Sequence, residues 1–234
     1  MHIELVVFDM AGTTVAEGGA VYRALRNSLA AYGLVITDEA LHQVKGMDKR
    51  EALRLLIDQT DRAETFRPHL PAIENDFVNH LLEFYRGDPG VGEVAGTSEV
   101  FQWLRQRGIR VALNTGFSRL IAQTLIDRLG WAAAGLIDAS VTSDEVEQGR
   151  PAPNMIDHLR EHLGIRERRW VAKVGDAPAD LLEGAAAGCG LNLGVTQGSS
   201  THAQLASLPH DALLETIADL PALFLARGIT SEKG

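Results

Sequence analysis

From residue 109 onward the chain repeats one unit: a short apolar run rich in β-branched residues, a polar turn, then apolar residues at helical spacing. The runs lie at 109–114, 136–139, 170–174 and 191–195, with helix-period stretches at 97–107, 119–129, 154–163 and 179–187. Near-continuous apolar runs suit strands buried on both faces, and strands that alternate with helices suit crossovers within a parallel sheet. Residues 3–8 supply one more strand of the same kind. The pattern predicts an α/β fold built on a doubly wound parallel sheet, a Rossmann-like core.

Between that first strand and the repeating unit the period changes. Val21, Leu25 and Leu29, and later Ile73, Phe77, Leu81 and Phe84, recur at helical spacing. Gly33 and Gly46 stand where helices end, and Asp48 with Glu51 reads as a helix start. The reading is an all-helical unit, residues 17–87, inserted into a core made of residues 1–16 and 88–234, with glycine-rich hinges near Gly18 and Gly90. A chain of 234 residues is long enough for one sizeable core plus a smaller insert.

Composition narrows the partners. The balance of 45% apolar and 23% charged residues is that of a soluble globular protein. With 31 acidic against 22 basic residues, a net charge of −9 opposes binding to nucleic acid or an anionic membrane, so a small-molecule substrate is expected. No apolar stretch approaches the roughly 20 residues of a membrane span, and no basic leader precedes the first strand. These features lead to a cytoplasmic monomer or homodimer as the expectation. Cys189, the single cysteine, sits among small apolar neighbours and reads as a buried, inert thiol. Only the tail "TSEKG" is expected to lack structure.

In open α/β sheets ligands bind beyond the carboxyl ends of the strands. Asp9 follows the first strand, Thr115 and Gly116 the next, and Asp176 a third, while "QGRPAP" carries Arg150 on a loop of the same class. Each alone has an ordinary reading as a turn residue, a helix cap or a solvated loop charge. Jointly, in chain order, they supply two carboxylates, a hydroxyl and a guanidinium. That set suits phosphoryl transfer, in which positioning and charge neutralisation do most of the catalysis. A carboxylate can attack phosphorus. Two carboxylates facing an anionic substrate call for a cation between them, and Mg²⁺ prefers such oxygen ligands, with Arg150 as a clamp on the remaining charge. The pair His158 and His162 in "HLREH" has the spacing of some zinc peptidases, yet with no third ligand in view it reads as a solvated surface pair.

"VVFDMAGTT", "VALNTG", "GRPAP" and "VGDAPAD" together resemble the four motifs of the haloacid dehalogenase superfamily, in the expected order. The resemblance implies Asp9 as nucleophile, Thr115 as phosphoryl-binding hydroxyl and Arg150 as the motif cation. It also implies a Mg²⁺ site at Asp9, the Ala11 carbonyl, Asp176 and Asp180, the last through a bound water, with Thr13 and Gly116 near the substrate. The helical insert resembles a type 1 cap. Ala11 departs from the usual pattern, which has a second acid there as general acid/base, and so disfavours a phosphomutase. Alanine at this position resembles the phosphonatases, phosphonoacetaldehyde hydrolases that break a carbon–phosphorus bond with a cap lysine as Schiff base. In "HQVKGMDKREAL" a lysine three residues after a glycine is Lys49, while anchoring on the downstream Ala-Leu puts Met47 there. Lys45 and Lys49 also resemble substrate-selecting cap cations of phosphoglucomutase-like relatives. Three readings stand: a Mg²⁺-dependent hydrolase of a small phosphorylated or phosphonate metabolite through an aspartyl-phosphate on Asp9, an authentic phosphonoacetaldehyde hydrolase, or a non-catalytic phospho-ligand-binding protein.

Overall fold

The computed structural model describes residues 1–231. Among the described residues eight strands are present: β1 Leu5–Phe8, β2 Val15–Ala16, β3 Gly92–Glu93, β4 Arg110–Thr115, β5 Ala139–Thr142, β6 Val171–Gly175, β7 Leu191–Val195 and β8 Ala212–Leu214. Six form one sheet in the order β5-β4-β1-β6-β7-β8, and every pairing in it is parallel. Core helices α6 (Thr97–Arg105), α7 (Arg119–Leu129), α8 (Asn154–His162), α9 (Pro178–Ala186), α10 (His202–Ala206) and α11 (Leu220–Ala226) flank it. Alternation along β1 explains the two layers. Val6 and Phe8 join one apolar cluster with Phe101, Leu113 and Val174, whereas Leu5 and Val7 join another with Met155, Ile156 and Val171. Both faces of the strand are therefore buried, as its uninterrupted apolar run demands.

Between β2 and β3 the chain is helical: α1 (Ala20–Ala30), α2 (Asp38–Gln43), α3 (Lys49–Asp58), α4 (Ala63–Phe66) and α5 (Leu70–Gly87). Asp48 caps α3 by accepting from the Glu51 N–H at 2.8 Å, as its spacing suggested. The chain leaves and re-enters the sheet side through β2 and β3, which pair antiparallel.

The strand expected at 136–139 instead runs Ala139–Thr142. Asp138 causes the shift, because its side chain accepts from the Val111 N–H at 2.8 Å and so takes the place of a ladder partner just before the strand. The short pieces β2, β3, β8, α10 and α11 were not anticipated, since runs this brief carry no measurable period. At the other terminus, Thr230 accepts from the Ile3 N–H at 2.9 Å and Ser231 donates to the Arg107 carbonyl, so the expected loose tail is held to this point. The rest of that tail, 232–234, lies outside the described residues. Among the described residues no helix is long and apolar enough to cross a membrane.

Candidate active site

Because β1 lies between β4 and β6, the ends of three adjacent strands bring Asp9, Thr115 and Asp176 together at one edge of the sheet. The turn after β1 is tight: the N–H groups of Thr13, Thr14 and Val15 all point to the Met10 carbonyl, at 3.2, 2.9 and 2.8 Å. Gly12 allows it, with φ +91° and a position where a Cβ would sit 2.5 Å from Asp176 Oδ2. Thr14 Oγ1 donates to the Asp9 carbonyl at 2.9 Å, and Thr13 Oγ1 to Asp176 Oδ1 at 3.1 Å. Thr13, expected beside the substrate, thus orients a carboxylate. Asp176 Oδ2 accepts from the Ser199 N–H at 2.5 Å, with Gly198 packed so close that a Cβ would fall 2.3 Å from the same oxygen.

Beneath Asp9 lies a buried ionic network. Arg150 has no exposed side-chain surface and donates to Asp9 Oδ1 at 2.7 Å, to the Asn114 carbonyl at 2.6 Å and Asn114 Oδ1 at 2.8 Å, and to the Gly46 carbonyl at 3.3 Å. It also pairs with Asp180 Oδ1 at 2.8 Å and Glu183 Oε2 at 3.1 Å. Arg150, expected as a clamp on the substrate, holds the acid through Nη1 and Asn114 through Nη2 in this structure. Lys173, equally buried, reaches Asn114 Oδ1 at 2.6 Å, Asp180 Oδ1 at 2.9 Å and Glu183 Oε2 at 3.2 Å. Glu183 accepts from Asn114 Nδ2 at 2.9 Å through both oxygens. Lys173, Glu183 and Asn114 were missed. A lysine inside the apolar run "WVAKVG" was the available signal, because a buried ammonium requires partners.

The carboxylate oxygens of Asp9, Asp176 and Asp180 lie within 4.8 Å of one another, all buried. Four buried carboxylates, these and Glu183, face two buried cations, Arg150 and Lys173, and Lys49 lines the Asp9 cavity, so with all groups ionised negative charge is in excess. The excess falls on the Asp176 side. Burial first, then the charges of Asp9 and Asp180, push Asp176 up to about 7. Asp9 is also raised, by burial and by Asp180. Burial works against Asp180 as well, yet Arg150 and Lys173 bring it below the usual range, so it stays ionised. A hard divalent cation fits this donor set in charge and ligand type. Ala11 lines the same cavity as Asp9 and Asp176.

The structure separates the two candidate lysines. Lys49 lines a cavity of about 20 Å³ together with Asp9, Ala11, Thr115, Gly116 and Asp176, and its Nζ donates to the Met47 carbonyl at 2.7 Å. Burial lowers it to about 8, an effect that Asp9 partly offsets. Lys45 lies outside that cavity, its Nζ on the Ser199 carbonyl and 5.6 Å over the Tyr22 ring. Thr115 Oγ1 accepts from the Phe117 N–H at 3.2 Å. Gly116 lines the cavity but also seats the loop before α3: its carbonyl accepts from the Lys49 N–H at 3.1 Å, and a Cβ there would meet the Met47 carbonyl oxygen at 2.2 Å. Met47, the alternative alignment for the catalytic lysine, contributes only backbone to these contacts.

His158 and His162 are exposed and stack 6.3 Å apart, away from the metal-type cluster identified among the described residues. Cys189 is half-buried rather than buried, and burial pushes its thiol up to about 12, which keeps it unreactive.

Comparison with known proteins adds three findings. Residues 3–188 match the haloacid dehalogenase-like hydrolase family model. The chain is 33% identical over 197 residues to the phosphonoacetaldehyde hydrolase of Hahella chejuensis, covering 80% of this chain and 66% of that protein. It is 30% identical over 241 residues to that of Bacteroides fragilis, covering 97% and 90%. The crystal structure of a phosphonoacetaldehyde hydrolase-like protein from Oleispira antarctica superposes with a TM-score of 0.79 at 22% identity, covering 100% of this chain and 96% of that one.

Proposed function

Since the chain belongs to the haloacid dehalogenase-like hydrolases, we propose that it hydrolyses a small phosphorylated or phosphonate metabolite, best a phosphonate that carries a carbonyl group, through an aspartyl-phosphate on Asp9. The placement of Lys49 carries this reading: a lysine held near neutrality lines the same small cavity as the acid. Curated relatives of the phosphonoacetaldehyde hydrolase type support it. Ala11 supports it too, because an ester would release an alkoxide and Ala11 has no proton to give. Family membership makes the chain an enzyme and sets aside the non-catalytic reading.

In this mechanism the neutral Lys49 amine condenses with the substrate carbonyl and releases water to form an iminium. Asp9, oriented by Arg150 at 2.7 Å, attacks phosphorus. The carbon–phosphorus bond breaks, and its electron pair passes to carbon and on to the iminium nitrogen, giving an enamine. Protonation at carbon and hydrolysis of the resulting iminium return Lys49 and free the aldehyde; water then cleaves the aspartyl-phosphate. Mg²⁺, held by Asp9, Asp176, the Ala11 carbonyl and Asp180 through water, would neutralise phosphoryl oxygen charge. Thr115 and Gly116 line the same cavity as Asp9, which supports them as the groups that would receive the phosphoryl oxygens. The reading treats residues 17–87 as a cap over a core of 1–16 and 88–234, supported by the paired crossings at β2 and β3.

Borohydride reduction in the presence of phosphonoacetaldehyde tests it. The expected result is inactivation with label on Lys49, loss of turnover in Lys49→Arg, and loss of turnover in Asp9→Asn with substrate binding retained. Full activity after reduction, with Asp9→Asn still inactive, would return the reading to phosphate-ester hydrolysis.

A further inference from the structure

We propose that Glu17, between β2 and α1, is the catalytic acid/base of the site and gives its proton to carbon once the carbon–phosphorus bond has broken. This rests on the Lys49 reading above and deepens it. Six ionisable side chains line the Asp9 cavity: Asp9, Glu17, Tyr22, Lys49, Arg150 and Asp176. Four of them already have a task in that reading. Asp9 attacks, Lys49 condenses, Arg150 holds Asp9 at 2.7 Å, and Asp176 belongs to the metal-type cluster. Tyr22 is a poor proton donor, because burial first, and then the charge of Asp176, push its hydroxyl well above its ordinary value. Glu17 remains.

Its placement suits the role. The cavity of about 20 Å³ holds about one water-sized group, so an atom carried into it on Lys49 lies close to the Glu17 carboxyl. A wider space of about 610 Å³ shares Lys49, Gly116 and Arg150 with that cavity and leaves room for substrate to reach the lysine. Glu17 lines the narrow space and not this wider one. The carboxyl is 7% exposed and fixed, its oxygens accepting from the N–H groups of Gly19 at 3.1 Å and Val21 at 2.8 Å. Burial outweighs these two donors and raises it above the ordinary carboxyl range, so it keeps its proton closer to neutrality. Through a space of about 460 Å³ beside β2, which it also lines, that proton exchanges with solvent.

The step balances. When the phosphoryl group has passed to Asp9, the electron pair of the broken bond rests in the enamine on Lys49. Glu17 gives its proton to carbon, the pair forms the new carbon–hydrogen bond, and the nitrogen returns to an iminium. The Glu17 carboxylate then takes a proton from the water that adds to the iminium, which restores the acid. An alkoxide needs its proton as the phosphorus–oxygen bond breaks, whereas an enamine keeps its pair until a proton arrives. A donor off the line of the breaking bond therefore serves a phosphonate, although Ala11 has nothing to give.

Hydrogen exchange on acetaldehyde isolates this step, because the aldehyde on Lys49 passes through the same enamine with no phosphorus present. In D2O the unmodified protein should replace the methyl hydrogens of acetaldehyde with deuterium, read by proton NMR, and Lys49→Arg should not. Glu17→Gln should slow the exchange by about 10² to 10⁴-fold, while borohydride still fixes acetaldehyde to Lys49 at the unmodified rate. Added formate should recover part of the exchange in Glu17→Ala. If Glu17→Gln does not fold, Glu17→Asp replaces it, with exchange slowed about tenfold or more at unchanged trapping. A parallel loss of trapping and exchange would assign Glu17 to the start of α1 alone and overturn the proposal. Exchange undiminished in Glu17→Gln, or absent from the unmodified protein despite trapping, overturns it as well and leaves Lys49 in place. Failure to trap either acetaldehyde or phosphonoacetaldehyde on the unmodified protein defeats the Lys49 reading itself, and the role of Glu17 falls with it.

Discussion

The floor of the site and the loop that covers it are built by different physics. On the floor, Asp9, Arg150, Lys173, Asp180 and Glu183 come from β1, a loop, β6 and α9, and each is buried among charged partners at 2.7 to 3.2 Å. The covering loop, residues 45–49, rests on a few contacts: Lys49 N–H on the Gly116 carbonyl at 3.1 Å, Ser143 Oγ on Asp48 Oδ2 at 2.5 Å, Arg150 on the Gly46 carbonyl at 3.3 Å, and Lys45 on the Ser199 carbonyl. Buried charges are costly to leave unpaired, whereas a surface-docked loop loses about a hydrogen bond at a time. On the proposed function, the floor fixes where the reacting atoms are, and the loop governs what reaches them.

Lys173→Met strikes this difference hardest. It leaves Glu183 and Asp180 without one of their cations, and breaking a buried pair costs about 3–5 kcal/mol. Urea unfolding should show a loss of that order, with part restored in Lys173→Met/Glu183→Leu. A loss under about 1 kcal/mol would mean that the floor is no more demanding than the loop.

Asp176 gives the next effect, and its sign follows from its raised pKa of about 7 against an ordinary 3.8. Between these values the metal-free folded state holds a proton that the unfolded chain has lost, so stability falls as pH rises from about 4 to 7. Above that window the full penalty persists, on the order of 4 kcal/mol at 1.36 kcal/mol per pH step. Asp176→Asn should raise the Tm of chelated protein at pH 8 and change it little at pH 4, while abolishing the stabilisation expected from the proposed Mg²⁺ site in the unmodified protein. A Tm difference between the two proteins that is the same at both pH values would remove the uncompensated charge from the account.

The same division explains what the sequence reveals. Asp9, Thr115 and Asp176 end strands, and strand order alone brings strand ends together, so a linear pattern of apolar runs locates them. Glu183 and Asn114 are unreadable for the opposite reason. One sits in an alanine-rich helix and the other is the last residue but one of β4, and only packing against Lys173 and Arg150 gives them a task. The loop was half legible. Its lysines stand out in "VKGMDK", but which one faces the acid depends on the turn that seats Met47 over Gly116, and no periodicity encodes that.

On the loop, Gly116→Ala should have the larger effect. Its Cβ would fall 2.2 Å from a backbone oxygen that has no rotamer by which to move away, so the loop must lift. The cost of such overpacking is about 1–3 kcal/mol. Lifting the loop displaces Lys49 from Asp9, so the rate of imine formation should fall along with affinity.

Ser143→Ala is the mildest change and the more discriminating one. It deletes the hydrogen bond to Asp48, worth about 0.5–1.5 kcal/mol, together with a longer one to the Phe117 carbonyl at 3.3 Å, and leaves the cap on α3 intact because Asp48 Oδ1 still accepts from the Glu51 N–H. A loop that governs access should then loosen without any change in the reacting groups. The expectation is a KM raised severalfold at nearly constant kcat, with Mg²⁺ affinity and the pH dependence of Tm as in the unmodified protein. A parallel fall in kcat and Mg²⁺ affinity would show that floor and loop move as one body, and the contrast between them would have to be given up.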